Sequence, residues 1–258
     1  MDFDLVARAN PFSAITPQTL ARKFKRLGNA GGTLQHWRRL TCNLPTRSEM
    51  AAIQEREWYD ALADEDDRIP VGEPVWVGLD VAWKWDDTAA STLWWRDEEH
   101  RRLGPLRVES PPRNGNSQDP AKIEAMLIDI HDANPIHTVV MDMARAEQLA
   151  SWIETEIGAR VIDWPQSIPF KTRDFERFMA ALRQGWLKHS GDEAMTRHAL
   201  NAVARVLPRG DAVFERPAQS RSSGEQDRRV IDGLVAAAMV NDAAVDEATR
   251  AAPFLEIF

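Results

Sequence analysis

The chain has 258 residues, 43% of them hydrophobic, enough for one well-formed core plus an appendage. Its net charge of −8 argues against a protein that coats nucleic acid by charge alone. The single cysteine, Cys42, excludes an internal disulfide and a cysteine-cluster metal site, which fits a reducing, cytoplasmic setting.

Residues 1–73 read as a helical linker or appendage. Thr16 caps a short helix that opens with Pro17 and ends near Gly28, and Gly31-Gly32 is a break. A second helix is expected over 49–62, with Trp58 and Leu62 on one face. The stretch 64–74 is acidic and punctuated by proline, which places the domain boundary at 73/74. Residues 49–74 carry nine acids and only two bases, Arg56 and Arg68. The main domain, 74–258, then alternates. Strands are expected over 75–81, 89–95, 104–109, 137–142 and 159–163, with shorter ones near 186–188 and at 212–215. Helices are expected over 120–132, 145–157, 172–184, 193–206 and 229–242, and 219–227 is polar. This is an α/β pattern, a mixed sheet flanked by helices. No run of about 20 apolar residues is present to span a membrane. The start Met1-Asp2-Phe3-Asp4 lacks the order of a signal peptide.

Three aspartates stand out. Asp80 ends Val75-Trp76-Val77-Gly78-Leu79-Asp80, Asp142 closes Thr138-Val139-Val140-Met141-Asp142, and Asp232 lies in the first turn of an apolar helix. Carboxylates inside apolar runs are costly to desolvate without a partner. A shared cation would supply one, and Mg²⁺ or Mn²⁺ favours hard oxygen ligands. Two such ions suit phosphodiester hydrolysis, with Asp80 as the bridging ligand and Asp142 and Asp232 each completing one ion's shell. The helix dipole favours a carboxylate at Asp232, and the small Gly233 and Ala236-Ala237-Ala238 allow this helix to lie close to the sheet. The plain alternatives are an N-cap for Asp142 and an ordinary first-turn acid for Asp232.

Asp86-Asp87-Thr88 reads as a turn. Arg183, Lys188, His189, Arg197, Arg205 and Arg229 are candidate DNA contacts, against solvated side chains as the plain alternative. The other histidines lack metal-ligand spacing, and no Walker-type phosphate loop or local Ser-His-Asp signature occurs.

Pro74-Val75-Trp76-Val77-Gly78-Leu79-Asp80-Val81-Ala82 with Asp87-Thr88-Ala89-Ala90 resembles the opening of the nuclease domain of phage large terminase subunits. Val140-Met141-Asp142 with Ala150-Ser151-Trp152-Ile153 resembles that family's second acidic motif. Phe175 to His189, His198 to Ala204 with Asn201, and Arg229 to Met239 resemble its later segments, and residues 8–50 resemble the linker that precedes the nuclease. The resemblance implies an RNase H-like fold in which the first and fourth strands are neighbours, which would set Asp80 and Asp142 roughly 5 Å apart. It further implies two divalent ions and an endonuclease that cuts concatemeric viral double-stranded DNA during genome packaging in the bacterial host cytoplasm. The implied partners are DNA, a small terminase subunit, a portal and an ATPase motor. That motor normally precedes this region. Because the chain begins inside the linker, the motor is expected to be supplied elsewhere, and a fragment, a split gene and a prophage remnant all stay open. Two other readings compete: a resolvase- or transposase-type RNase H-like nuclease, and a non-catalytic docking module that uses the acidic 49–74 segment.

Overall fold

The computed structural model describes residues 3–9, 12, 15–25, 51–112, 114–217 and 230–251. Compactness divides the chain into two units, Met1–Ala51 and Ala52–Phe258. In the first, α1 (Phe3–Arg8) and α2 (Pro17–Lys25) bury Leu20 against Phe3, Val6, Ala7 and Ile15. Thr16 caps α2 as expected, its Oγ1 accepting from the Thr19 backbone N–H at 3.2 Å.

The second unit begins at Ala52, so it takes in the acidic, proline-marked stretch. The reason is Trp58 on α3 (Glu55–Asp60), which is fully buried in the main core. Leu62, expected on the same face, is 39% exposed, and the helix is shorter than the 49–62 anticipated. A 3-10 turn at Glu65–Asp67 follows.

The sheet contains seven strands: β1 (Val75–Asp80), β2 (Thr88–Trp95), β3 (Arg101–Leu103), β4 (Arg107–Glu109), β5 (Ile136–Met141), β6 (Arg160–Asp163) and β7 (Leu187–His189). Their order is β6-β5-β1-β2-β3-β7, with β4 also pairing with β2. The β1–β2 and β2–β3 pairs are antiparallel, while β1–β5, β5–β6 and β3–β7 are parallel. Of the strand expected over 104–109 only Arg107–Glu109 forms, as β4; β3 at Arg101–Leu103 precedes it and was not expected, and both pair with β2.

Helices cover both faces. The cluster of Ile123, Met126, Leu127 and Ile130 on α4 (Pro120–Ala133) packs with Leu149, Ala150 and Ile153 against Val75, Val77 and Leu79. Leu149 and Ala150 belong to α5 (Glu147–Trp152), and Ile153 opens the π-helical turn after it (Ile153–Ile157). The opposite face carries α6 (Ile168–Arg183), α7 (Glu193–Asn201) and α8 (Asp232–Ala251). Helix α6 begins earlier than expected, since Pro169 sits in its first turn, where a missing N–H costs nothing. The helix expected over 193–206 stops at Asn201, because β8 (Val203–Val206) leaves it to pair antiparallel with β9 (Ala212–Glu215).

Strand alternation decides which face β1 and β5 present. Val75, Val77 and Leu79 point to the α4 side, so Trp76, Gly78 and Asp80 point to the α8 side. On β5, Val140 joins the α8-side core, which turns Asp142, two residues on, the same way. Gly78 lets α8 approach: a Cβ there would lie 2.0 Å from the Ala236 carbonyl oxygen.

Candidate active site

Parallel pairing of β1 with β5 sets Leu79 opposite Met141, so Asp80 and Asp142 leave adjacent strands at the same level, as the expected neighbourhood of first and fourth strands requires. Asp232 opens α8, which crosses the same face. All three carboxylates line one cavity of about 560 Å³, together with Asp86, Gln166, Lys171, Arg205 and Arg216.

Each acid sits differently. Burial, then the charge of Asp232, pushes the Asp80 carboxyl up to about 7, and Lys171 and Arg216 oppose that rise. Asp142 does take the N-cap role: one oxygen accepts from the Ala144 N–H at 3.1 Å and the other from the Gln166 N–H at 3.2 Å. Its remaining lone pairs are not consumed by those two bonds. Asp232 is raised mainly by burial, against an ion pair with Arg216, and its Oδ2 is buried without a hydrogen-bond partner. Arg216 bridges Asp232 and Asp86. Of the turn read at 86–88, Asp86 and Asp87 lie in the β1–β2 connection and Thr88 already opens β2, and Asp86 also lines the cavity. The first turn of α8 is fixed from α7, where the His198 Nδ1 accepts the Gly233 N–H at 2.8 Å.

Among the described residues, no three His, Cys, Asp or Glu side chains stand as a ready-made metal-binding group. The donor chemistry nonetheless suits a hard divalent cation. The three acids line one cavity, the Asp232 Oδ2 is buried without a partner, and a guanidinium, that of Arg216, already supplies positive charge where a cation would sit against Asp232.

The expected DNA contacts separate. Arg205 lines the cavity and pairs with Glu215 across the β8–β9 hairpin at 2.8 Å. Arg197 is exposed on α7 and does not line the cavity. Arg183 pairs with Glu57 at 2.9 Å and Lys188 with Asp67 at 3.4 Å, so acids of the 49–74 segment engage them. His189 is not solvent-facing. It is 1% exposed, stacks on Trp58 with ring centroids 3.7 Å apart, and its Nε2 lies 2.9 Å from the Trp58 carbonyl. Burial holds its pKa down. Arg229 lies outside the described residues.

Sequence reading missed Lys171, Gln166 and Arg216. Lys171 lies on the first turns of α6, and Arg216 follows β9 directly. No local pattern marks either one, since only the packing of α6 and the hairpin brings them to the acids.

No protein-family model and no curated protein sequence matches the chain. Solved structures do. The large terminase of HK97 bacteriophage is similar with a TM-score of 0.59 at 19% identity, over 94% of this chain and 55% of that one. This chain thus spans about half the length of that protein. The large terminase nuclease of thermophilic phage G20c gives 0.50 at 14% identity, over 67% of this chain and 85% of that one. The same nuclease with bound magnesium gives 0.51 at 13% identity, over 77% and 98%. At these identities the likeness establishes architecture, and the seven-stranded mixed sheet with helices on both faces has the RNase H-like fold of large terminase nuclease domains.

Proposed function

We propose that this chain is a divalent-metal-dependent endonuclease that cuts double-stranded DNA, acting as the nuclease part of a phage packaging terminase. The observation that carries the reading is the convergence of Asp80, Asp142 and Asp232, drawn from two strands and a distant helix, on one cavity. A structural role for each acid alone does not account for that convergence or for the buried, unpartnered oxygen of Asp232. Asp80, Asp142 and Asp232 would hold two ions. Bound Mg²⁺ or Mn²⁺ would supply water activation and stabilisation of the leaving oxygen.

The chain's own residues do the rest. The rigid β1–β5 pair fixes the spacing of Asp80 and Asp142. Lys171 and Arg205 give the acidic cavity a positive side that suits a phosphate. Arg216 neutralises Asp232 and would compete with a cation for that carboxylate. By the same likeness, the small terminase subunit, the portal and an ATPase motor are proposed partners, and the host cytoplasm the setting. No helix among the described residues is long and apolar enough to cross a membrane.

The docking-module reading rested on the acidic 49–74 segment, and Glu57 and Asp67 there are used internally, against Arg183, Arg96, Arg102 and Lys188. The test is plasmid nicking with Mg²⁺ and with Mn²⁺. Wild type should nick and EDTA should stop it. Asp80→Ala should lose at least about 100-fold, since even groups that merely support metal ligands cost 10–100-fold. Full activity in Asp80→Ala would sink the proposal.

A further inference from the structure

The loop between β1 and β2 leaves the sheet directly after Asp80 and is tied down on both sides. At its neck, the Thr88 Oγ1 accepts from the Ala82 N–H at 3.1 Å and donates to the Ala82 carbonyl at 3.0 Å. Trp83 packs on the α4-side core, and its carbonyl accepts from the Gln118 N–H at 2.6 Å. Asp86 is held by Arg216, and Asp87 is buried. Between these anchors stand Lys84, which is exposed, and Trp85, which is 64% exposed.

A single exposed apolar side chain needs no explanation by itself. Trp85 differs in its setting. It is the largest of the exposed apolar side chains among the described residues, it sits on a pinned loop, and its neighbour Asp86 lines the carboxylate cavity. Ile168, another of that cavity's lining residues, is a second exposed apolar side chain, at 47%. The cations Lys171 and Arg205 line the same cavity. Cationic groups beside an exposed, pre-positioned aromatic ring match nucleic acid chemistry. Phosphates take the charge, and the face of a base unstacked from the duplex takes the ring, the stack offsetting the cost of unstacking.

We propose that Trp85 is a DNA-positioning residue whose indole stacks on a base beside the phosphate presented to Asp80, Asp142 and Asp232. This rests on the nuclease reading, and the experiment separates the two. Duplex binding is measured in EDTA and cleavage kinetics in Mn²⁺, for wild type, Trp85→Ala and Trp85→Phe. A short duplex carrying 2-aminopurine reports base unstacking. Trp85→Ala should raise Kd and KM by about 5- to 150-fold, the range expected on losing one base–aromatic stack, with kcat nearly unchanged. It should also abolish the 2-aminopurine signal. Trp85→Phe should recover most of the affinity and the signal. Thermal stability should hold in both variants, because the side chain is exposed. If wild type cleaves and Trp85→Ala matches it in Kd, KM and fluorescence, the positioning role is overturned while the nuclease stands. A kcat loss at unchanged KM and Kd also overturns it. If wild type neither binds nor cuts duplex DNA, both fall.

Discussion

Substituting Gly78 by alanine tests how the third carboxylate reaches the other two. A Cβ at Gly78 would sit 2.0 Å from the Ala236 carbonyl oxygen and 2.9 Å from the Val240 Cβ, where ordinary contact begins near 3.4 Å. The shortfall against Ala236 is about 1.4 Å, and the obstacle is helix backbone, which cannot rotate aside as a side-chain tip would. Helix α8 must therefore move by about 1 Å or more, and Asp232 opens that helix. Overpacking of this kind costs about 1–3 kcal/mol, which for a domain of this size lowers Tm by about 2–12 °C. Cleavage should suffer more than stability, because a misplacement near 1 Å costs about 100-fold when groups must act together. Gly158→Ala is the control. Gly158 has φ +75° with nothing within 4 Å of an added Cβ, so it should cost about 1 kcal/mol of backbone preference and leave nicking intact. Melting curves and nicking rates on both variants decide the matter. A Gly78→Ala protein with wild-type Tm and wild-type nicking would refute the close approach of α8 to β1 and, with it, the route by which Asp232 arrives.

Two further outcomes follow from buried histidines. His198 is fully buried, and burial pushes its pKa down to about 4 while its Nδ1 holds the Gly233 N–H. The folded state keeps it neutral, so its contribution is complete above about pH 6.5 and is lost as pH falls toward 4. The urea-derived stability should drop by about 2 kcal/mol between pH 7 and pH 5 from this group. His198→Asn should flatten that slope, and an unchanged slope would count against the assignment. His189→Ala removes the ring stacked on Trp58 and should lower stability by about 1–3 kcal/mol. Its DNA affinity and salt dependence should match wild type, whereas a changed salt slope would restore His189 as a DNA contact.

What was legible in the chain follows from what is local. The runs ending at Asp80 and Asp142 are strands because alternating apolar residues have one core on each side, and the same alternation aims both carboxylates toward α8. Asp232 was legible for a similar reason, as an acid at the start of a helix whose small residues permit close packing. Three features that were not legible share a different cause. Arg102 is an arginine at 2% exposure in β3, a burial tolerated only because Asp67, 35 residues earlier, accepts from its guanidinium. The run Asn201-Ala202-Val203-Ala204 suits helix or strand equally, and pairing with residues 212–215 settles it. His189 looked like a strand-end histidine until Trp58, 131 residues away, covered it. In each case a partner remote in sequence sets the outcome.

The same division runs through the candidate site and bears on how it would work. Its acids are legible because desolvated carboxylates are conspicuous in apolar runs, while the groups that offset them, Lys171, Arg216 and Arg205, come from a helix flank and a hairpin with ordinary surface composition. Burial, and then the charge of Asp232, raises Asp80 to about 7 even with Lys171 and Arg216 opposing, which leaves it about half protonated near neutral pH. A divalent cation relieves that imbalance more completely than the Arg216 guanidinium, which pairs with Asp232 and Asp86, because Asp80, Asp142 and Asp232 can share it at once. The electrostatic imbalance thus sets a direction for binding: cations should enter more readily as pH rises through 7, and Arg216 should give way when they do.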